Sequence, residues 1–228
     1  MAKRKSKRKK KAKEEIILSK EEYEQNKQLA WILGIIILFF GVFLASYFYF
    51  QNQNYFNYAG LDFRKEKIGE INFYHAQFPI IYQGQVYRIH NLYLRTDPRK
   101  NKIPVNTNFS ISERVIISLD EEIKNCDKAV LGQTNLAMFL WAMPWVKNVT
   151  AALTDREAAE RNNMDFADCS NASNRRTIIL VKKADKNSIE MESENCYRLN
   201  VANCEYLKVA ERYIMAVVEQ INQKENKN

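Results

Sequence analysis

The longest apolar run in the chain, Leu29 to Phe50 (LAWILGIIILFFGVFLASYFYF), holds 22 residues and no charge. As a helix it would reach about 33 Å, enough to cross a hydrocarbon core of about 30 Å. Core helices of soluble domains are shorter and keep a polar edge. A cleaved signal peptide would have an apolar stretch of about 7–15 residues closed by small residues, whereas this run leaves through Tyr47, Phe48, Tyr49 and Phe50. The pattern predicts an uncleaved signal anchor, a transmembrane helix over residues 29–50. Trp31 would sit at one membrane interface, and Tyr47 and Tyr49 at the other. Ser19-Lys20-Glu21-Glu22 has the form of a capping box, and Glu21, Glu22 and Glu24 would occupy the first turns. The helix is therefore expected to start near Lys20.

Beyond the span the periodicity changes. Residues 51–60 read as a polar stalk, residues 61–222 as one domain long enough to bury a core, and residues 223–228 as a disordered end. Phe63 to Ile68, Glu70 to Tyr82, Gln85 to Arg95 and Arg114 to Leu119 read as strands, with Gln83-Gly84 as a hairpin turn. Lys128 to Met143 reads as a helix stopped by Pro144, and Val149 to Leu153 as a short strand. Asp155 to Asn162 suits a helical turn capped by Thr154. Thr177 to Val181 and Ser188 to Leu199 read as paired strands around Lys186-Asn187. In Glu205 to Ile221 the apolar residues Tyr206, Val209, Ala210, Tyr213, Ile214, Val217 and Ile221 recur at helical spacing, with Asn203 placed to cap the start. Strands followed by strands and helices predict an α+β class, a mixed sheet with packed helices. A mixed α/β sheet is the alternative. Ala129 to Val146 is apolar enough to weigh as a second span, but Gln133, Thr134, Asn135 and Pro144 argue against it.

Charge then orients the chain. Lys and Arg number 35 against 27 Asp and Glu, and nine of the basic residues lie within Met1 to Lys13. The remaining 26 basic residues face 27 acidic ones, so the body is close to neutral. This excludes a basic nucleic-acid-binding domain as the main body. Residues 1–28 read as a basic tail, disordered over its first thirteen residues, that leads into the helix. Gln51 to Asp62 carry no Lys or Arg. The tail is therefore expected in the cytoplasm and the domain outside the cell membrane. Anionic lipid headgroups are its expected contact, each basic residue contributing about 1 kcal/mol.

All four cysteines, Cys126, Cys169, Cys196 and Cys204, follow the span, which fits two disulfides on an oxidising side. Three pairings are open. The favoured one is Cys196–Cys204 with Cys126–Cys169, worth about 2.6 and about 4 kcal/mol by loop entropy. No Cys-x-x-Cys is present, and neither histidine lies near a cysteine, so no metal is expected. Asn108, Asn148 and Asn171 open Asn-x-Ser/Thr sequons and are glycosylation candidates. Catalytic candidates are few. His75 and His90 would point from one face of the hairpin if Gln83-Gly84 is a simple two-residue turn, and they could then form an acid–base or metal site. More commonly such a pair is a satisfied polar spot on a sheet. No phosphate-binding glycine loop, Gly-x-Ser-x-Gly or His-Glu-x-x-His is present, so no cofactor is expected. Asp120-Glu121-Glu122 reads as first-turn helix charge.

The lysine-rich start, Phe73-Tyr74-His75-Ala76, Tyr93-Leu94-Arg95-Thr96-Asp97-Pro98, and the end from Asn195-Cys196-Tyr197 through Cys204-Glu205-Tyr206-Leu207-Lys208 resemble uncharacterised single-pass, membrane-anchored surface proteins of small-genome archaea. The resemblance implies membrane anchoring and supplies no site residues. The leading expectation is a non-enzymatic single-pass membrane protein. Its extracytoplasmic domain would bind or assemble with other envelope proteins beside the lipid bilayer. The alternatives are a membrane-tethered extracytoplasmic hydrolase, and a membrane protein whose basic tail docks RNA or ribosomes.

Overall fold

The computed structural model describes the backbone of residues 2–225 and the side chains of residues 26–51 and 54–223. The chain divides into two compact units, Met1–Gln53 and Asn54–Asn228. The first is built on α1 (Ala2–Asn54). Within it Asn26–Gln51 forms 26 residues, with a mean hydropathy of 2.6 over its most apolar 18 and no side chain buried, a candidate membrane anchor. Trp31, Tyr47 and Tyr49 are all exposed on this stretch. The helix starts well before Lys20 and runs through the residues expected to be disordered. Lys, Arg, Glu and Ala are among the strongest helix formers, and this propensity outweighs like-charge repulsion of a few tenths of a kcal/mol per pair. The Ser19 and Glu22 side chains lie outside the described residues, as do residues 226–228 of the expected disordered end.

The second unit holds two sheets. The first is an antiparallel meander in the order β1 (Tyr55–Tyr58), β2 (Leu61–Ile68), β3 (Ile71–Tyr82) and β4 (Gln85–Leu94). Strand β1 replaces the expected stalk. The Asn-rich composition there conceals an alternation in which Phe56 and Tyr58 turn inward, and Phe56 stacks on Phe63 at 5.4 Å. The β3–β4 turn is the anticipated one, with Gln83 and Gly84 at φ 52° and 78°. Positive φ at both central residues is the type I′ geometry that matches strand twist.

The second sheet is mixed, in the order β5 (Val105–Asn106), β9 (Ser188–Ser193), β10 (Cys196–Val201), β8 (Arg176–Lys183), β6 (Arg114–Leu119) and β7 (Asn148–Leu153). Strands β10, β8, β6 and β7 run parallel. The expected pairing of Thr177–Val181 with Ser188–Leu199 is made only by its last part, where Cys196–Leu199 run parallel to Ile178–Val181, and β8 and β9 form no hairpin around Lys186-Asn187. A turn at Glu194-Asn195, with Asn195 at φ 57°, divides the latter run into β9 and β10, and β10 inserts between β9 and β8. The reason lies in β8, whose residues Thr177 to Val181 are all buried. Such a strand belongs in the middle of a parallel sheet with a partner on each side.

Four helices complete the unit: α2 (Glu121–Lys124), α3 (Ala129–Ala142), α4 (Arg156–Arg161) and α5 (Tyr206–Glu225). Asp120 caps α2 and Glu121 and Glu122 fill its first turn, as their charge suggested. Asp155, not Thr154, caps α4, its carboxylate accepting from the Ala158 N–H at 2.7 Å. Asn203 lies in a left-handed turn at φ 52°, and the first carbonyl of α5 comes from Glu205, which accepts from the Val209 N–H. One apolar core gathers Phe63, Phe78 and Leu94 of the first sheet, Phe139 of α3, Tyr213 of α5, and Ile117, Ile179 and Leu199 of the second sheet. The helices α3 and α5 approach closely at Gly132, where an added Cβ would lie 3.2 Å from the Leu207 Cα and the Tyr206 ring. This packing accounts for the buried stripe Ala129, Gly132, Leu136, Phe139, Leu140 and Ala142, and the 14 residues of α3 are too few for a second span.

Candidate functional site

The hairpin decides where the two histidines go. The β3–β4 register pairs His75 with Tyr93 and Phe78 with His90, and it shifts between Ile80 and Ile81, so Tyr87 has no partner. This one-residue bulge moves His75 and His90 to opposite faces, because side-chain direction alternates with period two. The expected same-face pair is thus not formed. His75 lies on the outer face. Its Nδ1 is 3.1 Å from Glu66 Oε1, its Nε2 is 3.2 Å from Asn91 Oδ1, and its ring stacks on Tyr93 at 4.5 Å. The Arg64 guanidinium joins the same carboxylate at 2.6 Å. The His75 ring and then Arg64 hold the Glu66 carboxyl below its usual range. A shallow groove of about 830 Å³ beside them is lined by Asp62, Arg64, His75, Gln77, Pro79 and Asn222. His90 lies on the core face against Phe139 at 6.0 Å, and burial followed by the Arg88 charge pushes its pKa down. Neither histidine is hydrogen-bonded to a Ser, Thr or Cys side chain among the described residues. Among those residues, no group of three His, Cys, Asp or Glu side chains gathers as a metal site would need.

The cysteines form two disulfides, Cys126–Cys204 and Cys169–Cys196, with Cα–Cα distances of 5.3 and 5.5 Å. The favoured pairing is corrected by β10 itself. Cys196 opens that strand and Cys204 follows its end, so a strand of six residues, about 20 Å at 3.3 Å per residue, separates them. A disulfide needs Cα atoms within about 7 Å. Cys196 instead meets Cys169 on the far face of the sheet, beside Ile178 and Leu180. Cys204 ties the start of α5 to the α2–α3 connection.

The three sequons differ in context. Asn108 is exposed in the loop before β6, and Asn148 is exposed at the first residue of the edge strand β7. Asn171 is half-buried, and its side-chain carbonyl accepts from the Asp168 N–H at 2.9 Å in a capping arrangement. A glycan there would have to displace that cap.

Two features escaped the reading of the chain. The first is Glu211 of α5, which is 1% exposed. Its two carboxylate oxygens accept from the Arg95 N–H at 2.6 Å and the Thr96 N–H at 3.0 Å, closing the end of β4 onto α5. Burial pushes its pKa up to about 7, against the pull of those two donors. The available signal was the row Leu207, Glu211, Met215, Val218, in which a charge stands at helical spacing among apolar residues.

The second is a surface. Past Ile80 the β3–β4 hairpin projects as an arm whose Ile81, Tyr82, Val86, Tyr87 and Ile89 are exposed. Residues 77–87 hold no charged side chain. Beside it α3 carries a second face of Val130, Met138 and Trp141, also exposed, although its opposite face is buried in the core. Arg88 joins the two, its guanidinium 5.8 Å from the Tyr87 ring and 6.0 Å from the Trp141 ring. No carboxylate pairs with Arg88 among the described residues. The signal for this surface was Val130, Met138 and Trp141 at helical spacing opposite the buried stripe of α3, together with the uncharged run 77–87. Comparison with known proteins finds no family model, no curated protein and no solved structure that matches this chain.

Proposed function

We propose that the chain is a single-pass membrane protein of the cell membrane, with its basic N-terminus in the cytoplasm. Its second unit, outside, serves binding or assembly with other envelope components rather than catalysis. The observation that carries this reading is the exposed apolar arm of β3–β4 with the outer face of α3. Contiguous apolar surface with no cover marks an interaction site in a folded protein. Two disulfides support an oxidising location, and the asymmetry of Lys and Arg across the span supports the orientation. His75 and His90 face opposite ways and both ring nitrogens of His75 have partners, so this pair lends the hydrolase alternative no support.

The test has two arms. Thiol labelling of Cys126, Cys169, Cys196 and Cys204 in intact cells should occur only after reduction; labelling only after permeabilisation would reverse the orientation. A photocrosslinking residue in place of Tyr82, in the full chain in its native membrane, should give discrete adducts that Trp141→Lys abolishes. A crosslinker that reacts with solvent alone would sink the binding reading.

A further inference from the structure

We infer that the arm and the outer face of α3 dock on a lipid surface, the headgroup region of the membrane that holds α1; the inference rests on the membrane-tethered reading above. Three observations lead there.

The first is the chemistry of the surface. Tyr82, Tyr87 and Trp141 are amphipathic rings, and Val86, Ile89 and Met138 supply aliphatic bulk between them. Rings with an apolar body and a polar edge are what the interfacial layer of a bilayer selects. Trp145, at the end of the same helix, donates its Nε1–H to the Ile111 carbonyl at 3.0 Å and is only 36% exposed. Trp141 has no such partner among the described residues and is 63% exposed. Trp141 is therefore the ring left over for an outside medium.

The second is charge. A solvated hairpin is normally kept soluble and single by Lys, Glu or Pro along its edge. Here residues 77–87 carry no charged side chain, and β4 is an edge strand of its sheet. The one charge at the root of the arm, Arg88, is cationic, has no carboxylate partner among the described residues, and lies against two of the rings. A long cationic side chain backed by aromatic rings places its head among phosphate groups while its stem stays in apolar surroundings. An acid at this root would point to a basic protein partner, and residues 77–91 hold none.

The third is reach. Only three residues, Asn52, Gln53 and Asn54, separate the apolar stretch of α1 from Tyr55, the first residue of β1. The sheet register sets Tyr55 level with Arg64 and His75, and the tip residue Tyr82 lies seven positions further along β3. With strands about 4.8 Å apart and about 3.3 Å per residue, the tip is about 25 Å from Tyr55. Covalent connection alone therefore keeps the arm within a few nanometres of the bilayer surface, whatever other partners come and go. Two weak membrane contacts on one chain reinforce each other through this effective concentration.

The tryptophans make the test direct, because the chain has three: Trp31 in α1, and Trp141 and Trp145 in the second unit. Full-length chain is reconstituted in vesicles of brominated phosphatidylcholine and phosphatidylglycerol as single-tryptophan variants, and its fluorescence is compared with that in unbrominated vesicles. The W31F/W145F variant, which keeps Trp141, should lose fluorescence about two-fold, as a ring held about 5–10 Å into the headgroup and acyl boundary would. Val86→Asp, an exposed change, should abolish that quenching and leave Trp31 quenching untouched. W31F, which keeps both domain tryptophans, repeats the measurement if W145F fails to fold. Quenching of Trp31 without quenching of Trp141 overturns the docking inference while the tether stands. Absence of quenching at Trp31 as well overturns the tether and the docking together. Crosslinks from the arm to protein alone, to another chain or to a second copy, with Trp141 unquenched, assign the surface to a protein and overturn the lipid assignment.

Discussion

The two sheets of the second unit spend their apolar residues differently. In the six-stranded sheet Thr177 to Val181 of β8 are buried without exception, and both disulfides fasten segments against this sheet or its helix connections. In the four-stranded sheet only half the length is core. Ala76, Phe78, Leu92 and Leu94 face inward, whereas Gln85 to Ile89 of β4 are exposed in succession. One sheet therefore holds the fold and the other carries surface away from it. A domain divided this way should respond unequally to damage, with large losses at the six-stranded sheet and its helices and small ones on the outer face of the hairpin sheet.

The largest expected effect is loss of Cys126–Cys204, which closes 78 residues. Constraint of the unfolded chain by a loop of that size is worth about 4.5 kcal/mol in the entropy model, against about 3.5 kcal/mol for the 27-residue loop of Cys169–Cys196. Chemical denaturation of the full chain in detergent, comparing wild type with Cys126→Ala/Cys204→Ala, measures it. Equal midpoints would show that the α2–α3 connection and α5 stay together without the staple.

Glu211 tests the joint between the two regions. Folded, its carboxyl titrates at about 7; unfolded, it returns to its ordinary 4.5. The folded state thus holds the proton more tightly. The resulting stability is complete below about pH 4.5 and is lost as pH rises through about 7, a difference on the order of 3 kcal/mol. Glu211→Gln keeps an acceptor for one of the two N–H groups of Arg95 and Thr96 and carries no titration. The gap in unfolding midpoint between wild type and variant should therefore change across that window. A constant gap from pH 4.5 to pH 7.5 would show that the carboxyl titrates as if in water.

A smaller loss is expected at Gly132→Val. Its Cβ would fall 3.2 Å from the Leu207 backbone, which belongs to another helix and yields only by moving α5. Overpacking of this kind costs about 1–3 kcal/mol. Val86→Ala on the arm, where the side chain is 60% exposed, should stay within about 0.5 kcal/mol of wild type. The two denaturation curves together state the contrast between the regions in one experiment.

Legibility followed the same division. Long periodic elements could be read: the apolar stretch of α1, the stripe of α5, the hairpin at Gln83-Gly84 and the α+β class with a mixed sheet. Non-local partnerships could not. The run Ser188 to Leu199 gave no sign that Asn195 would turn it back, and nothing local says that β10 joins β8 rather than β9 alone. The disulfides follow from that topology, since a strand's length between Cys196 and Cys204 matters only once β10 is known to be extended. The histidine site failed for a subtler reason. The turn was anticipated correctly, but the bulge at Tyr87 reversed the face of every residue beyond it, and a bulge leaves little trace in composition. The arm was visible as an uncharged stretch but not as a projection, because exposure is set by what fails to pack above it.

A similarly small effect belongs to His75, and it tests whether the outer face of the hairpin sheet contributes anything beyond its own neighbours. His75→Ala removes the contacts to Glu66 and Asn91 and the stack on Tyr93. Every one of these lies on the solvent side of a sheet whose opposite side carries the core. The carboxylate left behind keeps Arg64, which bonds it through Nε at 2.9 Å as well as through the terminal nitrogen. No charge is therefore stranded, and the stacked pair is worth about 0.5–1.5 kcal/mol at most, less for rings in contact with water. The unfolding midpoint should move by less than about 1 kcal/mol equivalent. A loss as large as that of Gly132→Val would mean that the face with the groove at Arg64, His75 and Gln77 is covered in the working protein, and that its histidine is part of a second contact surface rather than a side chain satisfied by its own sheet.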